Sequence, residues 1–129
     1  MTPNATPAPA GLHLAVVAFD CADPPSLARF WADLLGGTVE LDDGGDATVH
    51  VSGAPPLDFL RVPDSKAGKN RLHLDLRSSS YEEAIDAAIR LGASRADDVY
   101  DGGSWQVLRD PEGNEFCILR GSSAEQAAE

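Results

Sequence analysis

A chain of 129 residues, 43% hydrophobic and 24% charged, is long enough to bury one domain's core and too apolar to stay disordered. Its net charge of −11 argues against the basic face that nucleic acid or an anionic membrane would need, and neither is expected as a partner. No apolar run approaches the ~18–20 residues of a membrane span. Two cysteines, Cys21 and Cys117, make no disulfide framework, and "MTPNATPAPAG" lacks the basic and apolar parts of a secretory signal, so a cytoplasmic location is expected.

Residues 1–10 and 121–129 read as disordered tails, rich in Pro, Ala, Thr and Ser. Leu12–Phe19 is a short apolar run that predicts a buried strand. In "DCADPP", Asp23 is placed to cap a helix whose first turn accepts Pro24 and Pro25, because the missing N–H groups have no partner there anyway. Leu27, Phe30, Trp31, Leu34 and Leu35 then recur on one helical face until Gly36-Gly37 ends it, and the two aromatic residues read as core anchors. Thr38–Leu41, Ala47–Val51 and Leu57–Val62 are strand candidates separated by "DDGGD" and "SGAPP".

After the polar connection "PDSKAGKN" the order begins again. Arg71–Arg77 alternates like a half-buried strand, and Ser80 with Glu83 reads as a capping box. Ala84, Ile85, Ala88 and Leu91 form the next helical stripe, closed by Gly92. Val99 lies in a weaker strand candidate, and "SWQVL" and "NEFCIL" flank the turn "RDPEG". The chain therefore reads as an α+β domain of two βαβββ modules, residues 11–63 and 71–120, curving around a central cleft in which a small molecule can sit.

The doubled plan, with "DPPSLARFWADLLGG" in the first helix and "RDPEGNEFCIL" near the end, resembles the vicinal oxygen chelate superfamily. That superfamily holds glyoxalase I, extradiol dioxygenases, and fosfomycin and bleomycin resistance proteins. The set "DCADP", "KNRLHLDL" and "DPEGNEFC" is similar to its small bacterial glyoxalase-like proteins. The resemblance implies a homodimer and, in metal-dependent members, one ligand from the first and last strand of each module. Usually these are His or Gln, Glu, His and Glu, around Zn, Ni, Fe or Mn.

Two histidines share the tripeptide "LHL", and the helix ends test whether they are equivalent. His73 stands 19 positions before Gly92, whereas His13 stands 23 before Gly36, so Val16 or Val17 is the counterpart of His73. The family's own spacing from Asp23 also leads to Val16, which has no donor atom, and identifies His73 as the ligand position of the second module. The same resemblance puts Cys117 at the last carboxylate position, with Glu115 one strand repeat away and Asp58 near the carboxylate of the first module.

No metal is assigned on these grounds; if one is bound, His73, Glu115 and Asp58 are the expected ligands. His73, Glu115 and Asp58 are also the candidate catalytic groups, and Val16, Cys117, Asp75, Phe59 and Trp105 the candidate ligand-binding ones. Asp75 and Arg77 share a strand face with His73 if the alternation holds, and a His–Asp pair would orient the imidazole for proton transfer. His50 has no spacing partner. Two functions follow as expectations: a lyase- or isomerase-type enzyme acting on a small oxygenated metabolite, or a metal-free protein sequestering an aromatic or cationic compound. The resemblance favours the enzyme.

Overall fold

The computed structural model describes residues 5–121, so the expected tails lie partly outside the described residues, at 1–4 and 122–129. The first module runs β1 (Val17–Cys21), α1 (Pro24–Leu35), β2 (Thr38–Leu41), β3 (Ala47–His50) and β4 (Leu57–Arg61). The second repeats it as β5 (Asp75–Ser78), α2 (Tyr81–Leu91), β6 (Ser94–Arg95), β7 (Trp105–Arg109) and β8 (Glu115–Arg120). Each module makes its own four-stranded mixed sheet, in the orders β1-β4-β3-β2 and β5-β8-β7-β6. The first strand runs parallel to the last in both, and the other pairs are antiparallel. Among the described residues the two sheets are not joined by ladder hydrogen bonds into one continuous sheet.

Local chemistry explains the helix bounds. Asp23 accepts the Ser26 N–H at 3.2 Å, and Gly36 takes a left-handed turn at φ 74°, which glycine adopts without steric cost. Gly37 is needed for a different reason: a Cβ there would stand 2.6 Å from the His50 carbonyl oxygen. Ser80 occupies the cap position of α2, but its side chain makes no capping bond. The Ser78 hydroxyl instead accepts the Ser80 N–H at 3.0 Å, taking the place that the expected box assigned to Glu83.

The strands also begin later than the apolar runs do. Val17 is the first residue of β1 to pair, with its N–H on the Pro56 carbonyl, because Pro55 and Pro56 cannot continue the ladder as donors. Residues 12–16 precede the strand, and likewise His73 precedes β5 rather than lying within it. Val99 lies in the connection after β6, which is the two-residue strand Ser94–Arg95.

Alternation then sorts the side chains by face. Val17, Phe19, Leu57, Phe59, Ala47 and Val49 point from the first sheet toward α1 and belong to the core, as do Phe116 and Ile118 from the second sheet. Trp31 sits between the two sets: its ring centroid is 5.5 Å from that of Phe19 and 4.9 Å from that of Phe116. It is 1% exposed, and its indole N–H donates to Asp110 Oδ2 at 3.0 Å. A buried indole needs such a partner.

Asp110 organises the "DPEG" turn as well, its Oδ1 accepting the N–H groups of Glu112 and Asn114. From that turn Glu112 reaches back to the first module and accepts the N–H groups of Ala22 and Asp23 at 2.7 and 2.8 Å. The turn of one module thus satisfies the backbone at the start of the other's helix. Among the described residues no helix is long and apolar enough to cross a membrane.

Candidate functional site

The outer face of the second sheet, opposite α2, carries Asp75 on β5, Cys117 and Leu119 on β8, and Trp105 and Val107 on β7. The connection before β5 adds Lys69 and His73, and the connection before β7 adds Val99 and Tyr100. Together they line an open cavity of about 390 Å³, with Glu115 at its margin. This size lies within the range of small-molecule pockets. A neighbouring cavity of about 300 Å³ separates β1 from residues 72–74 and shares His73 and Glu115 with the first.

His73 and Asp75 are two residues apart and on one face, so their side chains meet: Nδ1 lies 2.7 Å from Asp75 Oδ1. A carboxylate can only accept, so the shared proton sits on Nδ1 and the neutral ring keeps its lone pair on Nε2. Cys117 Sγ lies 4.0 Å from the same Nδ1. Burial raises the Cys117 thiol to about 11, and the charge of Asp75 adds to the effect. The sulfur therefore carries its proton at neutral pH.

Glu115 is 5% exposed. Its Oε1 accepts the Asn70 N–H at 2.9 Å and pairs with Lys66 Nζ at 3.1 Å, while Arg109 Nε approaches Oε2 at 3.4 Å. Burial alone would raise its pKa, but the Asn70 N–H and the Lys66 ammonium outweigh it and hold the carboxyl at about 2. So weak a base, with both oxygens engaged, ties the 63–74 connection to β8.

The other candidates fall elsewhere. Asp58, on the outer face of β4, accepts the Thr48 hydroxyl at 2.7 Å and is not among the residues lining the His73 cavity. Val16 lies just before β1 and brings no donor. Phe59 is fully buried and stacks on Phe19 at 4.8 Å on the α1 side of its sheet. His13 is exposed, with Nδ1 3.4 Å from the Gly11 carbonyl, and His50 pairs with Glu40 at 2.8 Å. Arg77 binds the carbonyls of Arg120 and Gly121.

Sequence reasoning passed over Tyr100, Lys69 and Lys66. The aromatic residue sits in a loop with no periodicity, and the two lysines read only as part of a polar linker. One usable signal is the density of charge in "DSKAGKN" directly before the candidate histidine.

The donor set can now be compared with the one implied for metal-dependent relatives. Of four positions, Val16 has no donor, Asp58 lies apart, and the last carboxylate is replaced by a protonated thiol. An oxygen-rich divalent site does not fit these residues. Among the described residues one group brings three metal-capable atoms within 4.8 Å of one another, namely His73, Asp75 and Cys117, a set suited to a softer ion such as Zn.

A family model described as a glyoxalase-like domain matches residues 16–119. No curated protein matches in sequence. Among solved structures, a glyoxalase/bleomycin resistance protein/dioxygenase family enzyme from Burkholderia phytofirmans PsJN is similar with a TM-score of 0.69 at 17% identity, over 84% of this chain and 98% of that one. The fosfomycin resistance protein FosX from Mesorhizobium loti gives 0.66 at 12% identity, over 91% and 98%. FosX from Listeria monocytogenes, complexed with Mn(II) and 1S,2S-dihydroxypropylphosphonic acid, gives 0.67 at 13% identity, over 88% and 94%. At these identities the structures establish a shared fold, and the match to the family model, extending from Val16 to Leu119, establishes kinship: the chain belongs to the glyoxalase-like domain family.

Proposed function

We propose that this protein is a glyoxalase-like enzyme that moves a proton on a small oxygenated compound held in the cavity of the second sheet. The observation that carries this reading is the 2.7 Å contact between His73 and Asp75. It fixes the tautomer and leaves Nε2 as the basic atom, 40% of the His73 side chain being open to solvent or ligand. Asp75 orients the ring and stabilises the imidazolium that forms when Nε2 takes a proton. Lys69, at the same wall, offers positive charge to the oxygen left negative by that transfer. Glu115 holds the connection that carries Lys69 and His73 and takes no proton itself. Asp58 has no part in the step.

A Zn-like ion, held by His73, Asp75 and Cys117, would polarise a substrate carbonyl. Binding it would displace the Cys117 proton, and the proton transfer assigned to His73 stands without the ion. Within this reading the protein is a cytoplasmic homodimer with neither nucleic acid nor membrane as partner, in keeping with its charge of −11.

The test begins with a thermal-shift screen of 2-oxoaldehydes and α-hydroxyketones, followed by turnover of whichever compounds bind. His73→Ala is expected to lower kcat ~100- to 10,000-fold, as loss of a general base does. Asp75→Asn should lower it less, with the melting temperature unchanged in both. Undiminished turnover in His73→Ala would remove the base.

A second reading, metal-free sequestration, draws on the apolar wall of Val99, Tyr100, Trp105, Val107 and Leu119. It requires that bound compounds be recovered chemically unchanged after prolonged incubation.

A further inference from the structure

The aromatic wall of the cavity carries more information than its hydrophobicity. Tyr100 and Trp105 stack face to face with centroids 4.0 Å apart and planes 7° from parallel. One indole face is thereby covered, yet Trp105 remains 39% exposed, so the exposed area lies on its other face and edge. An exposed Trp on a strand is common. One that is stacked on a second ring and borders a cavity is a prepared surface.

The stacking has visible causes. Tyr100 packs against the small buried cluster of Ala96, Val107 and Cys117. It also lies across Gly102, where a Cβ would collide with its ring. The loop bearing Tyr100 is anchored just before it, since Asp98 accepts two hydrogen bonds from Arg109 at 2.9 and 2.8 Å and Asp97 accepts one from Gln106 at 3.0 Å. Trp105 itself is fixed by β7, opposite Leu119.

His73, Asp75 and Lys69 reach the cavity from β5 and the connection before it, and Trp105 from β7, two strands away in the sheet. We infer that the ligand is a flat, fused or substituted aromatic ring bearing a hydroxyl, stacked on Trp105 and donating that hydroxyl to His73 Nε2. The planar plate selects the ring, because dispersion and quadrupole terms are maximal between parallel π-faces. The lone pair on Nε2 selects a donor over an ether. The cavity of about 390 Å³ accommodates a two-ring compound. Recognition of the hydroxyl rests on the His73–Asp75 reading above, whereas recognition of the ring stands apart from it.

Calorimetric titration with 2-naphthol, 2-methoxynaphthalene and decahydro-2-naphthol separates the two. The expected result is 2-naphthol binding ~10-fold more tightly than its saturated counterpart. Trp105→Leu should abolish that preference and Trp105→Phe should keep most of it, with melting curves confirming that both variants fold. Equal affinity for the flat and saturated rings, no binding of 2-naphthol, or an unchanged preference in Trp105→Leu would overturn the inference.

If Trp105→Leu leaves the ring preference intact but turns a dimer into a monomer in sedimentation, the plate belongs to a second copy of the chain and the inference likewise falls. If the ring preference holds but His73→Ala still favours 2-naphthol over 2-methoxynaphthalene, the hydroxyl assignment and the His73 reading fail while the plate stands.

Discussion

The two modules share one backbone plan and differ in what they place on it. Seven residues before the cap of each helix stand Val16 and His73, before Asp23 and Ser80 respectively. Two residues later, at the start of each outer strand face, stand Ala18, paired with Asp58, and Asp75, paired with Cys117. The first module thus offers Val16, Ala18 and Asp58 where the second offers His73, Asp75 and Cys117. Asp58, lacking an imidazole beside it, is taken by the Thr48 hydroxyl, and the nearby His50 by Glu40. Seven residues before the helix cap, only the second half keeps a side chain with a donor atom.

Three experiments press on this difference. The largest effect is expected at Glu115, where the second module buries a charge. Glu115→Ala strands Lys66 beside an emptied site and should cost ~3 kcal/mol in urea unfolding. A loss below ~1 kcal/mol would mean that the connection is held by other contacts.

The same carboxyl makes stability depend on acid. Its pKa is held at about 2 in the folded protein against an ordinary value of 4.5, so its contribution is fully present above about 4.5. That contribution disappears as pH falls through this window toward 2, and amounts to about 3 kcal/mol. Stability against pH should flatten over the window in Glu115→Gln.

The smallest effect on stability, within ~0.5 kcal/mol, is expected when Val16→His and Ala18→Asp are combined, both sites being solvent-facing. Nitrogen-edited NMR should then show a second imidazole protonated at Nδ1. A ring of mixed tautomer would break the proposed equivalence of the modules.

Much of this arrangement was legible in the sequence. The helix ends follow from Asp23, Gly36 and Gly92, and the doubling of the modules follows from spacing. Counting from helix ends separated His73 from His13, because caps and glycines fix the register between a strand and the helix after it. Residue faces were legible too, since period two puts Asp75 with His73 and Glu115 with Cys117, whereas the pairing of Asp75 with Cys117 came only with the strand register.

Several features were hidden. Strand starts depend on where the partner strand runs out, which Pro56 decides from forty residues away. Glu115 read as a base because nothing local announces that Lys66 and the Asn70 amide will neutralise it. Tyr100 was invisible because stacking on Trp105 is a property of a loop folding back onto a strand, with no pattern along the chain.

The turn at Asp110 has a consequence for how such a doubled protein can change. Through the Trp31 indole and the amides of Ala22 and Asp23, the latter half completes bonds that the earlier half leaves open. Neither half is a spare copy free to drift. A substitution at Asp110 is felt simultaneously as a loosened hairpin in one and a loosened helix in the other, and compensating changes will be found across the linker from the damage they repair.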